Sequence, residues 1–289
     1  MPYNSVDAFV AGDRDVLTRG PVALIFAEDD TELVSTLSHH LDQGFRSVLA
    51  LMPDAFAVPS EIEARVHRIN FECSSPGMVF DAINQLIAAA APGTWFYYCY
   101  NAEYLFYPFC ESRSVGELLA FHTEERRDAM LTYVVDLYAD DLNAHPDAVS
   151  RDEAYLDQHG YYALTRQTPN AGKPLDRQMD FFGGLRWRFE EHVDWGSRKI
   201  DRVSLFRAQK DLRLLQDHTF NIAEYNTVSC PWHHNLTASV CSFRAAKALK
   251  RNPGSAFAIN SFQWRNSTRF QWQSRQLMDL GLMEPGQWF

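Results

Sequence analysis

The chain has 289 residues, 46% of them hydrophobic, which is enough to bury a substantial core in one large domain or in one domain with an appended lobe. Its formal charge of −10, from 37 acidic and 27 basic residues, argues against nucleic acid or an anionic membrane as the default partner. Five cysteines without a CxxC pair argue against a zinc ribbon or a disulfide framework, so we expect a reducing, cytoplasmic location. The N-terminus has no signal-peptide pattern and no run reaches 18 apolar residues, so we expect no integral membrane segment.

The first hundred residues alternate between strand and helix patterns. Residues 21–27, PVALIFA, form a short apolar run that is typical of a buried strand. A helix is predicted to follow, with Asp29 and Glu32 at capping-box spacing and with Gly44 as the left-handed residue that ends it. Residues 46–51, RSVLAL, then return as a second strand.

Two acidic side chains follow these two strands. A βαβ unit with a short return is a right-handed crossover, which places both strand ends at one edge of the sheet. Glu28 follows the first strand and Asp54 follows the second. Both could accept hydrogen bonds from a ribose or a base; alternatively, Glu28 only supplies negative charge to a helix N-terminus and Asp54 only forms a turn.

The most informative stretch is residues 93–108, GTWFYYCYNAEYLFYP. A helix capped by Ser75 leads into it, and residues 95–100 are an unbroken apolar and aromatic run, as in strands buried on both faces of a sheet. Asn101 and Glu103 follow at the carboxyl end of this strand, where open α/β sheets bind their ligands. The strand therefore predicts a site at that end.

The second half has a weaker pattern. Ser114 and Glu117 have capping-box spacing, and residues 129–138 form a β-rich apolar run. Residues 140–179 are polar and interrupted by proline and glycine, which predicts a functional loop or lid, or alternatively a disordered insertion.

Further elements follow this segment. Residues 181–189 and 202–207 are typical of short strands, and residues 237–250 have a helical pattern. We therefore expect an N-terminal arm (1–20), a main domain (21–235) and a C-terminal helical extension (236–289).

Two of these stretches carry a resemblance to a known family. The segment VALIFAEDDTELVSTLSHHLDQGFRSVLAL resembles the opening of bacterial family 2 glycosyltransferases, a strand, an acidic turn and a helix before a strand that ends in D-x-D-E-F. TWFYYCYNAEYLFYP is similar to that second motif, with Glu103 on its Glu, and FGGLRWRF, RVSLFR and RQLMDLGLM follow in the expected order.

The resemblance implies a fold class and an activity. The fold would be α/β, with a GT-A-like nucleotide-sugar-binding sheet flanked by helices and an irregular C-terminal extension. The activity would be transfer of a sugar, with inversion, from a nucleotide-sugar donor to a glycan or lipid-linked acceptor.

The chain departs from the family where a divalent metal would be bound. Tyr100 and Ala102 stand at the two aspartates of D-x-D. Asn101 and Glu103 could still supply a carbonyl and a carboxylate from one face of a strand, which is at most a weak two-ligand site for Mn²⁺ or Mg²⁺. His218 is a further candidate ligand, and so is His233. The metal requirement is therefore predicted to be weak or absent.

The remaining site predictions concern charge. Arg186 and Arg188, at i and i+2 of an extended segment beside Gly183-Gly184, could bind a diphosphate without a metal; alternatively, they are solvated strand arginines. Glu103 and Asp136 are the candidate catalytic bases. Alternatively, Glu103 is an exposed acid at a strand end or the buried partner of an arginine, and Asp136 is a buried, hydrogen-bonded acid.

Two other classes of function compete with the transferase. One is a non-catalytic nucleotide-sugar or protein-binding module that retains the scaffold without D-x-D. The other, a metallohydrolase that uses His218 and His233, lacks any tight ligand spacing.

Overall fold

A computed structural model describes residues 2–168, 172–228 and 235–288. The chain is an α/β protein in which mixed β-sheet is flanked by helices. In chain order the strands are β1 (Val22–Phe26), β2 (Ser47–Met52), β3 (His67–Asn70), β4 (Trp95–Tyr100), β5 (Glu103–Phe106), β6 (Ala129–Ala139), β7 (Ala154–Asp157), β8 (Tyr162–Gln167), β9 (Pro174–Phe182), β10 (Asp201–Arg207), β11 (Ala238–Ser242) and β12 (Ser267–Arg269).

The helices lie before, between and after these strands. They are α1 (Val6–Asp13), α2 (Leu33–Asp42), α3 (Ser60–Glu63), α4 (Pro76–Ala89), α5 (Val115–Glu124), α6 (Gly184–Arg188), α7 (Arg244–Arg251), α8 (Pro253–Ala256) and α9 (Ser274–Asp279). Among the helices of the described residues, none combines the length and the apolar character that a bilayer crossing requires.

The chain forms two compact units, each assembled from separated stretches. Unit 1 comprises the described residues of Met1–Tyr104, Ser112–Leu131 and Val203–Asn226. Unit 2 comprises those of Leu105–Glu111, Thr132–Arg202 and Thr227–Phe289.

Unit 1 is built on parallel strands in the order β3-β2-β1-β4, and β10 is antiparallel to β4. Alternate side chains of these strands pack on opposite faces. Leu24, Leu49 and Phe96 belong to the cluster that contains α1 and α4, whereas Tyr97 stacks on His40 of α2. Because helices cover both faces, β1 and β4 are apolar at every position rather than at alternate ones, and so is β2 after Ser47.

The N-terminal segment, which the sequence predicts as an arm, contributes side chains to this unit's core. The Ser5 hydroxyl accepts a hydrogen bond from the Ala8 backbone and caps α1. Phe9 and Leu17 are fully buried in the same cluster as the sheet. Burial of these two apolar side chains ties the segment to the domain.

Of the two predicted capping boxes, one is confirmed and one is wrong. Ser114 and Glu117 exchange both hydrogen bonds at the start of α5. Helix α2 instead begins at Leu33, after Glu32 in a left-handed conformation (φ 53°). Asp29 accepts from the Thr31 backbone N–H, which forms a local turn that competes with a longer helix.

In unit 2, β6 pairs in parallel with β11 and antiparallel with β7, which in turn pairs with β12, while β8 and β9 form a separate hairpin. The prediction of residues 140–179 as an irregular loop or lid is therefore wrong over much of its length. It contains β7, β8 and part of β9. The β8 side chains are mostly exposed, so the strand lacks the apolar pattern that would have indicated it.

The prediction of one helix over residues 237–250 is wrong in its first half. Residues 238–242 form β11, which is buried along its whole length, and α7 begins only at Arg244. Val240 and Cys241 lie opposite Val134 and Val135 of β6. Strand pairing in a buried position thus overrides a weak local helical pattern.

Candidate functional site

The carboxyl edge of unit 1, meaning the loops that follow β1, β2, β3 and β4, contains the topological switch point of its parallel sheet. The chain moves from β1 to β2 and β3 on one side, while β4 lies on the other side of β1. Open α/β sheets bind ligands at such a point, outside the carboxyl ends of the strands. The candidate residues that follow β1, β2 and β4 therefore lie at the expected position.

Asn101 connects the two loops at the switch point. Its Oδ1 accepts a hydrogen bond from the Glu28 backbone at 2.9 Å, and its Nδ2 donates to Asp29 Oδ1 at 2.6 Å. Nδ2 also donates to the Thr31 carbonyl at 2.9 Å. The Asn101 side chain is fully buried, so its amide stabilises the loop after β1.

Glu103 does not lie beside Asn101 on one strand face, so that prediction is wrong. β4 ends at Tyr100, the chain turns with Ala102 in a left-handed conformation (φ 58°), and β5 starts at Glu103. The Glu103 side chain is fully buried and accepts a hydrogen bond from the Tyr100 backbone at 3.0 Å. This geometry makes Glu103 part of the turn and removes it from the exposed edge where a base or a metal ligand was expected.

Exposed carboxylates follow three neighbouring strands of unit 1. Glu28 follows β1, Asp54 follows β2 and Glu72 follows β3. Arg68 donates to the backbone carbonyls of Pro53, Asp54 and Phe56 at 2.9 to 3.0 Å, which shapes the loop that presents Asp54. The sequence did not predict Glu72 as a site residue, because the strand pattern around β3 is weak.

Aromatic rings lie at the same edge. Phe26, at the end of β1, packs against Phe71 with ring centroids 5.5 Å apart and against Tyr100 at 6.3 Å. Phe71 is only half-buried. The edge thus combines hydrogen-bond acceptors with an apolar surface, which suits a ligand that has hydroxyl groups and a flat ring.

In unit 2, Arg186 and Arg188 lie on the short helix α6, so the prediction that they share one face of a strand is wrong. Arg186 Nε is 3.3 Å from Asp136 Oδ1, and its Nη1 donates to the Lys199 carbonyl at 2.9 Å. Residues two apart on a helix do not share a face.

The second arginine has partners of its own. Arg188 pairs with Asp157 at 3.0 Å, donates to the Phe262 carbonyl at 2.7 Å and lies over the Trp264 ring at 4.6 Å. Both guanidinium groups therefore bind groups within unit 2, which opposes their predicted role at a diphosphate.

The two preceding glycines allow close packing within the protein. A Cβ atom at Gly183 would lie 2.2 Å from the Tyr161 ring, and one at Gly184 would lie 2.9 Å from Asp136 Oδ2. Gly184 also has a left-handed conformation (φ 63°). The Gly-Gly pair is explained by these contacts, whereas the sequence suggested a close approach to a ligand.

Asp136 lies inside β6 and is 1% exposed. Burial raises the pKa of its carboxyl group to about 6, although the Arg186 guanidinium and the Arg186 backbone N–H act in the opposite direction. A pKa in this range suits a general base, but a base must lie within hydrogen-bond reach of the acceptor hydroxyl, and this carboxylate is buried. The geometry favours the alternative interpretation, a buried, hydrogen-bonded acid, which here is also paired with Arg186.

The two candidate histidines do not form a metal site within the part of the chain that the structure describes. His218 is in unit 1, where its Nδ1 is 2.8 Å from the Tyr98 hydroxyl and its ring packs on Phe80. His233 lies outside the described residues. Among residues 2–168, 172–228 and 235–288, no group of three or more His, Cys, Asp and Glu side chains is arranged to hold a metal ion.

Comparison of the chain with protein-family models and with curated proteins gave no match in either case. The candidate site is therefore defined by the geometry of the structure alone, and it lies at the carboxyl edge of unit 1.

Proposed function

We propose that this chain is a glycosyltransferase that uses a nucleotide-sugar donor, and that the carboxyl edge of unit 1 binds the nucleotide. The observation that carries the proposal is the strand order β3-β2-β1-β4, which puts a topological switch point beside the exposed carboxylates of Glu28 and Asp54. The resemblance of residues 22–51 and 94–108 to family 2 glycosyltransferases supports the same assignment.

The loop after β1 favours recognition of the ribose and base over recognition of phosphate. Dinucleotide-binding folds have a glycine-rich turn here, with the pyrophosphate at a helix N-terminus. In this chain the loop reads Glu28-Asp29-Asp30-Thr31-Glu32 and has no glycine. Negative charge at this position repels phosphate but accepts hydrogen bonds from ribose hydroxyls and base N–H groups.

In the proposed reaction, the acceptor hydroxyl oxygen attacks the anomeric carbon of the donor. The bond from that carbon to the nucleoside diphosphate breaks, and the hydroxyl proton passes to a base. The acceptor is a glycan or a lipid-linked acceptor. Stabilisation of the departing diphosphate by positive groups would be the largest single contribution to catalysis, on the order of 3 kcal/mol for each donor.

One observation favours a second candidate, a non-catalytic nucleotide-sugar or protein-binding module. Tyr100 and Ala102 occupy the positions of the D-x-D aspartates, and Tyr100 is 3% exposed. The remaining polar residues of the motif, Asn101 and Glu103, hydrogen-bond within the protein. Such a module would bind the nucleotide and transfer nothing.

Nucleotide binding is tested by calorimetry with UDP, GDP, CDP and TDP on the wild type and on Glu28→Gln and Asp54→Asn. We expect both variants to weaken binding of the preferred nucleotide by about five- to tenfold, because each loses one acceptor of about 1 kcal/mol. Asp15→Asn is the matched control, since Asp15 is an exposed carboxylate of unit 1 that precedes β1.

Unchanged affinity in both variants would refute the assignment of this edge. Release of nucleoside diphosphate from donor sugars, with and without acceptor glycans, then separates the two candidates. Acceptor-dependent release supports the transferase, and binding without release supports the module.

A further inference from the structure

Unit 2 has a row of three aromatic rings that is partly exposed. We define this aromatic row as Tyr162, Phe182 and Trp195. Tyr162 and Phe182 lie opposite each other on β8 and β9, and their rings stack with centroids 5.2 Å apart and an angle of 18°. The Trp195 ring follows at 5.9 Å from Phe182 with an angle of 36°.

Tyr162 and Trp195 are exposed to solvent, although each ring is held in place by its contact with Phe182. Trp195 is 69% exposed and Tyr162 is 43% exposed, while Phe182 between them is buried. The Arg198 guanidinium lies 5.5 Å from the Trp195 ring centroid. Arg198 is itself held by the Val193 carbonyl at 2.9 Å and by Glu190 Oε2 at 3.0 Å. A large apolar ring that is held in place in water is typical of a binding surface.

Polar groups lie on the same face of the hairpin. Leu164 follows Tyr162 at i+2 on β8, and Asp180 is the partner of Leu164 on β9, so both share the face of Tyr162. Arg166 Nε donates to Asp180 Oδ1 at 2.6 Å, and Lys199 Nζ is 3.4 Å from the same oxygen. Asp180 and Lys199 keep about a fifth of their side-chain surface exposed. A ligand on the aromatic row would therefore meet a hydrogen-bonding carboxylate and an ammonium group.

We propose that the aromatic row binds a neutral oligosaccharide, which would be the acceptor of the transfer reaction. A sugar ring has an apolar C–H face that stacks on an aromatic ring and hydroxyl groups at its edge that bind carboxylates and ammonium groups. Tyr162 and Trp195, the two exposed rings, each contact Phe182, and each would support one sugar of the chain. The role as acceptor rests on the proposed function; the binding of a saccharide does not.

The local charge argues against an anionic lipid surface as the ligand. Three acidic residues shortly precede Trp195 in the sequence, namely Glu190, Glu191 and Asp194. The nearby cations Arg198 and Lys199 are paired with Glu190 and Asp180. A surface that binds anionic membranes needs an excess of basic over acidic residues, and this surface has no such excess. The same carboxylates disfavour an acidic glycan.

The size of the surface argues against a second copy of the chain. The exposed side chains of the face are Tyr162, Trp195 and Leu164, and together they offer on the order of a few hundred Å². Specific interfaces between proteins bury about 1,200 to 2,000 Å² in total. A saccharide of a few sugar units fits the smaller area.

The test uses the full chain and neutral tetrasaccharides of glucose, mannose, galactose and N-acetylglucosamine, in α- and β-linked forms, titrated by calorimetry. We expect at least one tetrasaccharide to bind. Trp195→Leu should weaken it by about tenfold, because leucine keeps apolar bulk but removes the aromatic face. Trp195→Phe keeps an aromatic face and should stay within about threefold of the wild type. Phe257→Leu, at an aromatic ring of the same unit that is 93% exposed, should change nothing.

Failure of every tetrasaccharide to bind would overturn the proposal, as would binding that Trp195→Leu leaves unchanged. Binding to phosphatidylglycerol vesicles, or self-association in sedimentation velocity, that is lost in Trp195→Leu without saccharide binding would overturn it in favour of those partners. Nucleotide binding, measured on the same variants, should match the wild type. If nucleotide binding is absent while saccharide binding persists, the proposed function fails and the saccharide site stands.

Discussion

At the scale of single residues, the charged side chains of unit 2 are explained by their partners inside the protein. Asp136 pairs with Arg186, and Asp157 binds Arg188, the Tyr138 hydroxyl at 2.6 Å and the Trp264 indole at 2.7 Å. Removing one member of such a group leaves a buried charge without compensation. We therefore expect substitutions here to change stability first, and activity only as a consequence.

Asp136 should make the stability of the protein depend on pH. Its folded-state pKa of about 6 lies above the value near 3.9 of an unfolded chain, so the folded state binds more protons between these values. Its contribution is fully present below about pH 4 and is lost as the pH rises through 6, and it amounts to a few kcal/mol at most.

The measurement is chemical unfolding of wild type and Asp136→Asn from pH 4 to pH 7. Relative to the wild type, the asparagine variant should gain stability as the pH rises, because it cannot ionise in the core. Asp140→Asn, at an exposed carboxylate near the end of the same strand, is the control and should follow the wild type. A constant difference between wild type and Asp136→Asn over this range would contradict the raised pKa.

At the scale of elements, the turn after β4 organises the loop after β1. The Asn101 amide binds three groups of that loop, and the Ala102 backbone N–H donates to Thr36 Oγ1 of α2 at 2.9 Å. The proposed nucleotide site therefore depends on a buried side chain that need not touch the ligand. Asn101 is therefore a positioning residue for the loop after β1.

Replacing Asn101 by Ala should cost about 1 to 3 kcal/mol of stability, since the Glu28 backbone N–H loses its acceptor. Asn101→Asp should cost more at pH 7, because it puts a second carboxylate beside Asp29. Unfolding and nucleotide calorimetry on both variants check this. The effect of Asn101→Asp should shrink as the pH falls toward 4, a trend that Asn101→Ala must not show. Equal behaviour of the two variants at both pH values would contradict the role of the amide.

Several elements were predictable from the sequence, and the failures have physical reasons. β1 and β4 are apolar along their whole length, and β2 is apolar after Ser47, because both faces are covered. The Ser114–Glu117 box forms from local hydrogen bonds. The prediction missed β8 because its side chains are mostly exposed, so burial imposes no apolar pattern on the strand. The prediction missed β11 because this strand pairs with β6, which lies about a hundred residues earlier in the sequence.

At the scale of the whole molecule, the proposed nucleotide site is acidic and the chain carries a formal charge of −10. Acidic edges often bind divalent cations, yet Mn²⁺ and Mg²⁺ need several oxygen ligands that converge on one point. Glu28, Asp54 and Glu72 follow separate strands, and the described part of the chain has no convergent group of three.

We therefore expect nucleoside diphosphate binding to be the same in Mn²⁺ and in excess EDTA. Calorimetry of the preferred nucleotide under both conditions checks this, with the bare nucleoside as the control for effects on the base and ribose alone. A more than tenfold loss in EDTA, confined to the diphosphate, would show that other residues bind a metal bridging to the phosphates.

The sequence by itself determined the βαβ order of unit 1, the apolar strands and the acidic residues at their carboxyl ends, because each of these depends on neighbours within one or two turns of chain. Only the tertiary structure decided that Glu103 is buried in a turn, that Arg186 and Arg188 bind Asp136 and Asp157, and that Tyr162, Phe182 and Trp195 form a row. These facts depend on contacts between residues up to 50 positions apart, such as Asp136 and Arg186. Burial and pairing at that range depend on the fold of the whole chain, and local composition does not encode them.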